Sequence, residues 1–176
     1  NLCDYINDKL RNSEDLSELD TIHKESILTS IEKLALWLGK LHGLNVIDKN
    51  NPNEIIVLNK GDTRLRDFIY DSNSGTLFGM DFEDSYEGNH VDDIAWICCS
   101  LLDTNPGIFE MNHPKHKIEL INFFLKSYYK NKPNFNFNFN YFTERLIENL
   151  NIVMRRRHIN MILNKENFIK GISKEL

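Results

Sequence analysis

Long apolar runs are missing from this sequence. No stretch approaches the ~20 residues that a bilayer-spanning helix requires. The first residues, Asn-Leu-Cys-Asp-Tyr, contain no basic segment followed by an apolar one, so no secretory leader is read there. Cysteine is scarce and odd in number: Cys3, Cys98 and Cys99 form neither a disulfide framework nor a CxxC metal pair. Buried thiols in a reducing, cytoplasmic compartment are the expectation. Positive charge is also short. Lys and Arg total 21 against 26 Asp and Glu, a net charge of −5. That balance excludes a surface given over to nucleic acid or anionic lipid, and neither is expected as a partner. Glycine numbers only 8, and no glycine-rich loop precedes residue 61.

What remains describes one globular domain. The 176 residues match the usual ~100–200 per domain, and 41% are hydrophobic and 27% charged. No repeat or linker divides 1–176. Leu2, Tyr5, Ile6 and Leu10 form a short helical stripe. Ile27, Ile31, Leu34, Leu38 and Leu41, at spacings of three and four, predict a long helix over about 24–43, with Gly43 as a stop. Residues 45–53 read as turn. The period then changes. Glu54–Leu58, Asp67–Tyr70 and Thr76–Met80 are β-like, and Asp71-Ser-Asn-Ser-Gly75 joins the last two as a hairpin. Helical patterns return after Gly88, at 115–130, near 141–158 and at 165–175. Residues 131–140, with the Phe-Asn alternation at 135–140, are read as an ordered loop carrying aromatic plugs. The expected class is α+β and predominantly helical.

Carboxylates crowd the β-like segment: Asp62, Asp67, Asp81, Glu83, Asp84, Glu87, Asp92 and Asp93. Asp62 follows the apolar EIIVL, and Asp81 directly ends TLFGM. A hairpin between them brings both carboxylates to one end of the sheet, as a Mg²⁺ site with room for water and phosphate requires. Taken singly, Glu83, Asp84, Glu87 and Asp92 are more simply read as solvating charge. His42 reads as a packing or capping residue, Trp37 and Trp96 as core aromatics. Arg155-Arg156-Arg157 points in different directions on a helix and reads as a solvated face plus one Arg with a buried stem. His113 and His116 lack further ligands at metal spacing.

The run from Lys60 to Trp96 resembles the catalytic segment of the aminoglycoside phosphotransferase/choline kinase family, which shares the protein-kinase-like fold. Lys60-Gly61-Asp62 stands at that family's His-Gly-Asp, Asp67 at its Asn, Met80-Asp81-Phe82 at Ile-Asp-Phe, and Asp93-Ile94-Ala95 at Asp-Leu-Ala. LALWLGKLHGLN resembles the helix ending in Leu-His that precedes the catalytic loop. Leu2-Cys3-Asp4-Tyr5 resembles the helix after the interlobe hinge.

The resemblance implies the C-terminal lobe of a kinase-like fold, with a β-hairpin element carrying the catalytic loop. It implies ATP and Mg²⁺ as cofactors and transfer of a phosphoryl group to a hydroxyl acceptor. Asp62 takes the place of the base, Asp67 and Asp81 the metal positions, and Lys60 a place beside the nucleotide phosphates. Asp93 is implied as support of the loop. The acidic stretch with Glu83, Asp84 and Glu87 suggests a cationic acceptor, aminoglycoside- or choline-like. Two departures stand out: Lys60 replaces His and Asp67 replaces Asn. With no glycine-rich flap before Asp62, an N-terminal nucleotide-binding lobe is expected to be absent from this chain, which alone is then expected to be inactive. The alternative is a non-catalytic kinase-like binding or regulatory module. A third reading is a helical interaction domain.

Overall fold

A computed structural model describes residues 1–10, 13–51, 54–111, 114–160 and 169–176. Helix α1 (Leu2–Leu10) buries Leu2, Ile6 and Leu10, one face at helical spacing. Asp20 caps the next helix, α2 (Thr21–Leu44), by accepting the His23 N–H at 2.8 Å. Ile27, Ile31, Leu34, Ala35 and Leu38 form its buried stripe. The helix runs one residue past Gly43 and closes where the Asn45 N–H donates to the His42 carbonyl.

The chain then forms two small antiparallel sheets. Strands β1 (Val46–Asp48), β2 (Ile56–Asn59) and β5 (Tyr86–Asn89) pair in the order β1-β2-β5. Strands β3 (Phe68–Asp71) and β4 (Thr76–Gly79) form the expected hairpin, registered Phe68 to Gly79 and Asp71 to Thr76. Gly75, at φ 66°, supplies the left-handed turn residue. The hairpin docks on α2 because Gly79 has no side chain: a Cβ there would lie 2.2 Å from the Trp37 ring. Trp37 in turn meets Phe68 edge-on, centroids 5.1 Å apart.

Strands β1 and β5 carry no sequence signal. All three β1 residues are exposed, and β5 reads Tyr-Glu-Gly-Asn, without apolar alternation. Both exist because β2, whose Val57 is fully buried, offers backbone partners on each side.

Helix α3 (Val91–Asp103) is the centre of the domain, with Val91 to Cys99 all buried. Cys98 and Cys99 lie here as core thiols, and burial raises both above the ordinary thiol range. Helix α4 (Lys115–Lys130) packs on α2, and α5 (Phe139–Arg156) packs on α3. Asn138 caps α5 by accepting the Tyr141 N–H at 3.1 Å. Residues 134–138 are loop, and Phe135, Phe137 and Phe139 plug the core. Of the helix expected at 165–175, residues 165–168 lie outside the described residues. From 170 onward the chain is turn and irregular, with Ile172 buried against the core. The fold is α+β and predominantly helical.

Candidate functional site

Strand β2 ends in a tight loop, Lys60 to Thr63, and Asp93 at the start of α3 holds it. One Asp93 oxygen accepts the Lys60 N–H at 2.7 Å; the other accepts the Gly61 N–H at 3.0 Å and the Thr63 hydroxyl at 2.5 Å. His42 Nε2 lies 3.2 Å from the first oxygen, and its Nδ1 lies 2.7 Å from the Tyr128 hydroxyl. A carboxylate only accepts, so His42 donates through Nε2 and Nδ1 accepts from Tyr128. Burial raises the Tyr128 pKa well above the ordinary phenol range and keeps that hydroxyl protonated. Asp93, His42 and Thr63 are completely buried, so the loop is fixed from beneath by satisfied polar contacts. Burial and nearby His42 depress neighbouring His90 to about 3, so it sits in the core as a neutral imidazole.

Gly61 permits the loop's shape. Its φ is 77°, and a Cβ would stand 2.1 Å from the Asp84 carbonyl oxygen. The loop backbone therefore lies directly against the segment after β4. There Asp81 adopts φ 62°, one of two non-glycine residues with positive φ among the described residues. Aspartate tolerates this region better than most residues, and strained backbone of this kind concentrates at functional sites.

Asp62, within the loop, and Asp81, just after β4, have different surroundings. Asp62 is gripped by guanidinium groups: Arg64 donates Nε to Oδ1 at 2.9 Å and Nη2 to Oδ2 at 2.7 Å, and Arg156 Nη1 donates to Oδ2 at 2.9 Å. The Asp81 carboxylate belongs to an exposed residue, while its carbonyl accepts Lys60 Nζ at 2.8 Å. Lys60 is 1% exposed and turns away from Asp62 toward the hairpin. Its ammonium lies 3.7 Å from Asp67 Oδ2 and 5.9 and 5.7 Å from the ring centroids of Phe68 and Phe82. Asp67 also accepts the Arg64 N–H at 3.1 Å, and its other oxygen lies 3.8 Å from Arg66 Nε.

These contacts bear on a divalent ion. Among the described residues, no three or more His, Cys, Asp or Glu side chains converge as ligands. Mg²⁺ needs fewer: one or two carboxylates, with water and phosphate oxygens completing the shell. Asp81 fits that pattern, an exposed carboxylate on a fixed backbone. Asp67 is engaged by a backbone N–H and two cationic side chains.

Glu83, Asp84 and Glu87 are all exposed. Asp92, which composition alone does not distinguish from its acidic neighbours, is 4% exposed and ties α3 to α5. It accepts the Tyr141 hydroxyl at 2.9 Å and lies 3.0 Å from Arg145 Nε. His113 lies outside the described residues; His116 is buried, its Nδ1 3.0 Å from the Glu14 carbonyl.

Sequence reasoning gave Thr63 and Arg64 no role, read His42 as a packing or capping residue, and read Arg156 only as part of a largely solvated arginine run. The Leu-His ending of α2 was a usable signal for His42. For Arg156 no local signal existed, because its partner lies 94 residues away.

Beside the loop, Ile69, Phe78, Met80 and Phe82 are 39–55% exposed, and Ile69 and Phe78 are cross-strand partners. They give the hairpin an apolar outer face. A separate groove of about 850 Å³ lies between α2, α4 and the loop after α4, lined by Leu36, Phe123 and Phe137 among others; none of the loop carboxylates lines it. Comparison of the chain with protein-family models, with characterised proteins and with solved structures gives no match.

Proposed function

We propose that this chain is the helical lobe of a kinase-like small-molecule phosphotransferase, with Asp62 as the group that receives the acceptor's hydroxyl proton. The observation that carries the reading is the Asp93 network. A buried carboxylate grips two successive loop N–H groups and the Thr63 hydroxyl, and so presents Asp62 on a rigid support. Preorganisation of this kind is what phosphoryl transfer asks of a protein, since positioning and charge dominate its loose transition state.

Within that reading, Arg64 fixes the orientation of the Asp62 carboxylate. Among the described residues Oδ1 accepts one hydrogen bond, from Arg64, and retains a lone pair for an acceptor hydroxyl. Asp81 would hold Mg²⁺ on the nucleotide phosphates; when bound, the ion neutralises charge on the group being transferred. The apolar outer face of the hairpin supports an adenine-bearing lobe or ligand as its cover, because paired apolar side chains on a sheet face are normally buried.

The experiment is nucleotide binding by calorimetry in the full-length protein. Asp81→Ala should abolish the Mg²⁺ dependence of ATP binding, and Asp62→Asn should leave binding intact while turnover falls. Binding of ATP that is identical with and without Mg²⁺, in both wild type and Asp81→Ala, overturns the metal role.

A second reading, a non-catalytic kinase-like regulatory module, is favoured by one observation. The Lys60 ammonium lies between the Asp81 carbonyl and Asp67 and supplies positive charge there without a metal. Nucleotide binding with no transfer to any hydroxyl acceptor would select it.

A further inference from the structure

Two arginines share one carboxylate at this site. Arg64 comes from the loop and Arg156 from the last turn of α5. Their guanidinium carbons lie 5.8 and 6.0 Å from the ring centroid of the same indole, Trp96 of α3. Asp62 makes three charge-assisted bonds to them, and two arginines with one aspartate leave the trio a formal charge of +1. Asp103 lies within electrostatic reach of Arg64 but forms its 3.1 Å ion pair with Arg157, Glu110 lies 3.9 Å from Arg157, and Asp67 faces Lys60 and Arg66; among the described residues, Asp62 is the carboxylate that pairs directly with Arg64 and Arg156. Arg156 is half exposed and reaches Asp62 through Nη1. Guanidinium forks match carboxylate and phosphate oxygens, and weak hydration of the planar group favours such pairing against an aromatic face.

From this geometry we propose that Arg64, Arg156 and Trp96 form an anion subsite, and that the acceptor is a hydroxy compound carrying its own carboxylate or phosphate. The anion competes with Asp62 for Arg156. Its arrival frees the outer lone pairs of Asp62 Oδ2 while bringing the acceptor's hydroxyl beside Oδ1. The cationic acceptor suggested by the exposed Glu83, Asp84 and Glu87 has no comparable pairing of side chains. The inference deepens the proposed function and rests on Asp62 facing the acceptor; the existence of the subsite itself does not depend on turnover.

The test is ligand binding followed by Trp96 emission, in a Trp37→Phe background that leaves one indole, with calorimetry in parallel. The probes are inorganic phosphate, glycerate, glycerol 3-phosphate, ADP and choline. Phosphate and both hydroxy anions should bind and shift the emission, and choline should not. Arg156→Gln should weaken anion binding by about 10-fold, as loss of one fork predicts. Arg155→Gln, an exposed neighbour on the same helix, should change it little. Asp62→Asn should tighten it several-fold, because the internal competitor loses its charge. Should Arg156→Gln misfold, Arg156→Lys and the Asp62→Asn tightening carry the test.

Equal effects of the Arg155 and Arg156 substitutions, or anion binding weakened by Asp62→Asn, overturns the subsite. Displacement of phosphate by ADP with no binding of either hydroxy anion assigns the anion to the nucleotide and overturns the acceptor class. Anion binding that behaves as expected, in a full-length protein whose turnover is unchanged by Asp62→Asn, leaves the subsite standing and refutes the catalytic reading instead.

Discussion

Substituting Asp93 by asparagine isolates the support of the loop from its chemistry. The change preserves shape and burial but replaces one acceptor oxygen with an NH₂ group. In the native protein one Asp93 oxygen serves the Lys60 N–H and His42, and the other serves the Gly61 N–H and Thr63. His42 can change tautomer and Thr63 can rotate its hydroxyl, so both can accept from an amide. The two backbone N–H groups cannot adapt. Whichever way the amide turns, one of them faces a donor in a site with no water access. A buried unsatisfied donor costs ~1–3 kcal/mol, and the surviving bonds lose their charge assistance, worth ~1 kcal/mol more. The expected loss is therefore about 2–4 kcal/mol, a large share of the ~5–15 kcal/mol typical of a domain. Urea titration followed by far-UV circular dichroism measures it at constant m-value. Asp93→Leu removes both oxygens and should be worse, leaving both N–H groups unpaired. A loss under ~0.5 kcal/mol in Asp93→Asn would refute the claim that this carboxylate fixes the loop.

Three further outcomes follow from the same structure. Lys117 is 1% exposed, and burial depresses its pKa from 10.5 to about 8. The unfolded Lys117 thus binds more protons between those values, so its contribution to stability should rise with pH across that window by roughly 3 kcal/mol; because the buried Cys98 and Cys99 thiols pull the other way above pH 9, the readout is the stability difference between wild type and Lys117→Met, which urea titrations at pH 7 and 10.5 should show shifting by that amount in favour of wild type. Gly61→Ala forces a Cβ to within 2.1 Å of the Asp84 carbonyl at φ 77°, and should cost upward of ~2 kcal/mol in thermal unfolding, whereas Gly75→Ala, at an open turn, should cost about 1 kcal/mol. In the full-length protein with a hydroxyl acceptor, Asp62→Asn should lower turnover by ~10²–10⁴ with unchanged nucleotide affinity, measured by coupled assay and calorimetry.

The sequence by itself determined the elements whose signal is local. The α2 stripe from Ile27 to Leu38 and the hairpin around Asp71 to Gly75 follow from apolar spacing and turn chemistry, which act within a few residues. It also singled out Asp62 and Asp81 from their places at the ends of apolar strand-like runs, with Asp67 and Asp93 added only by the family resemblance. Tertiary structure alone decided which partner each charge received. Lys60 turns from Asp62 to the Asp81 carbonyl, where its ammonium also lies over the Phe68 and Phe82 rings. Arg156 reaches Asp62 only because α5 packs along α3 and brings its last turn over Trp96. Asp92 and Asp93, adjacent in sequence, point to α5 and to the loop because successive helical residues diverge by about 100°. Strands β1 and β5 exist by virtue of β2, since backbone pairing needs a neighbour and takes no account of side-chain pattern at an exposed edge. Pairings across many tens of residues depend on how helices stack, and that is fixed by the whole core at once.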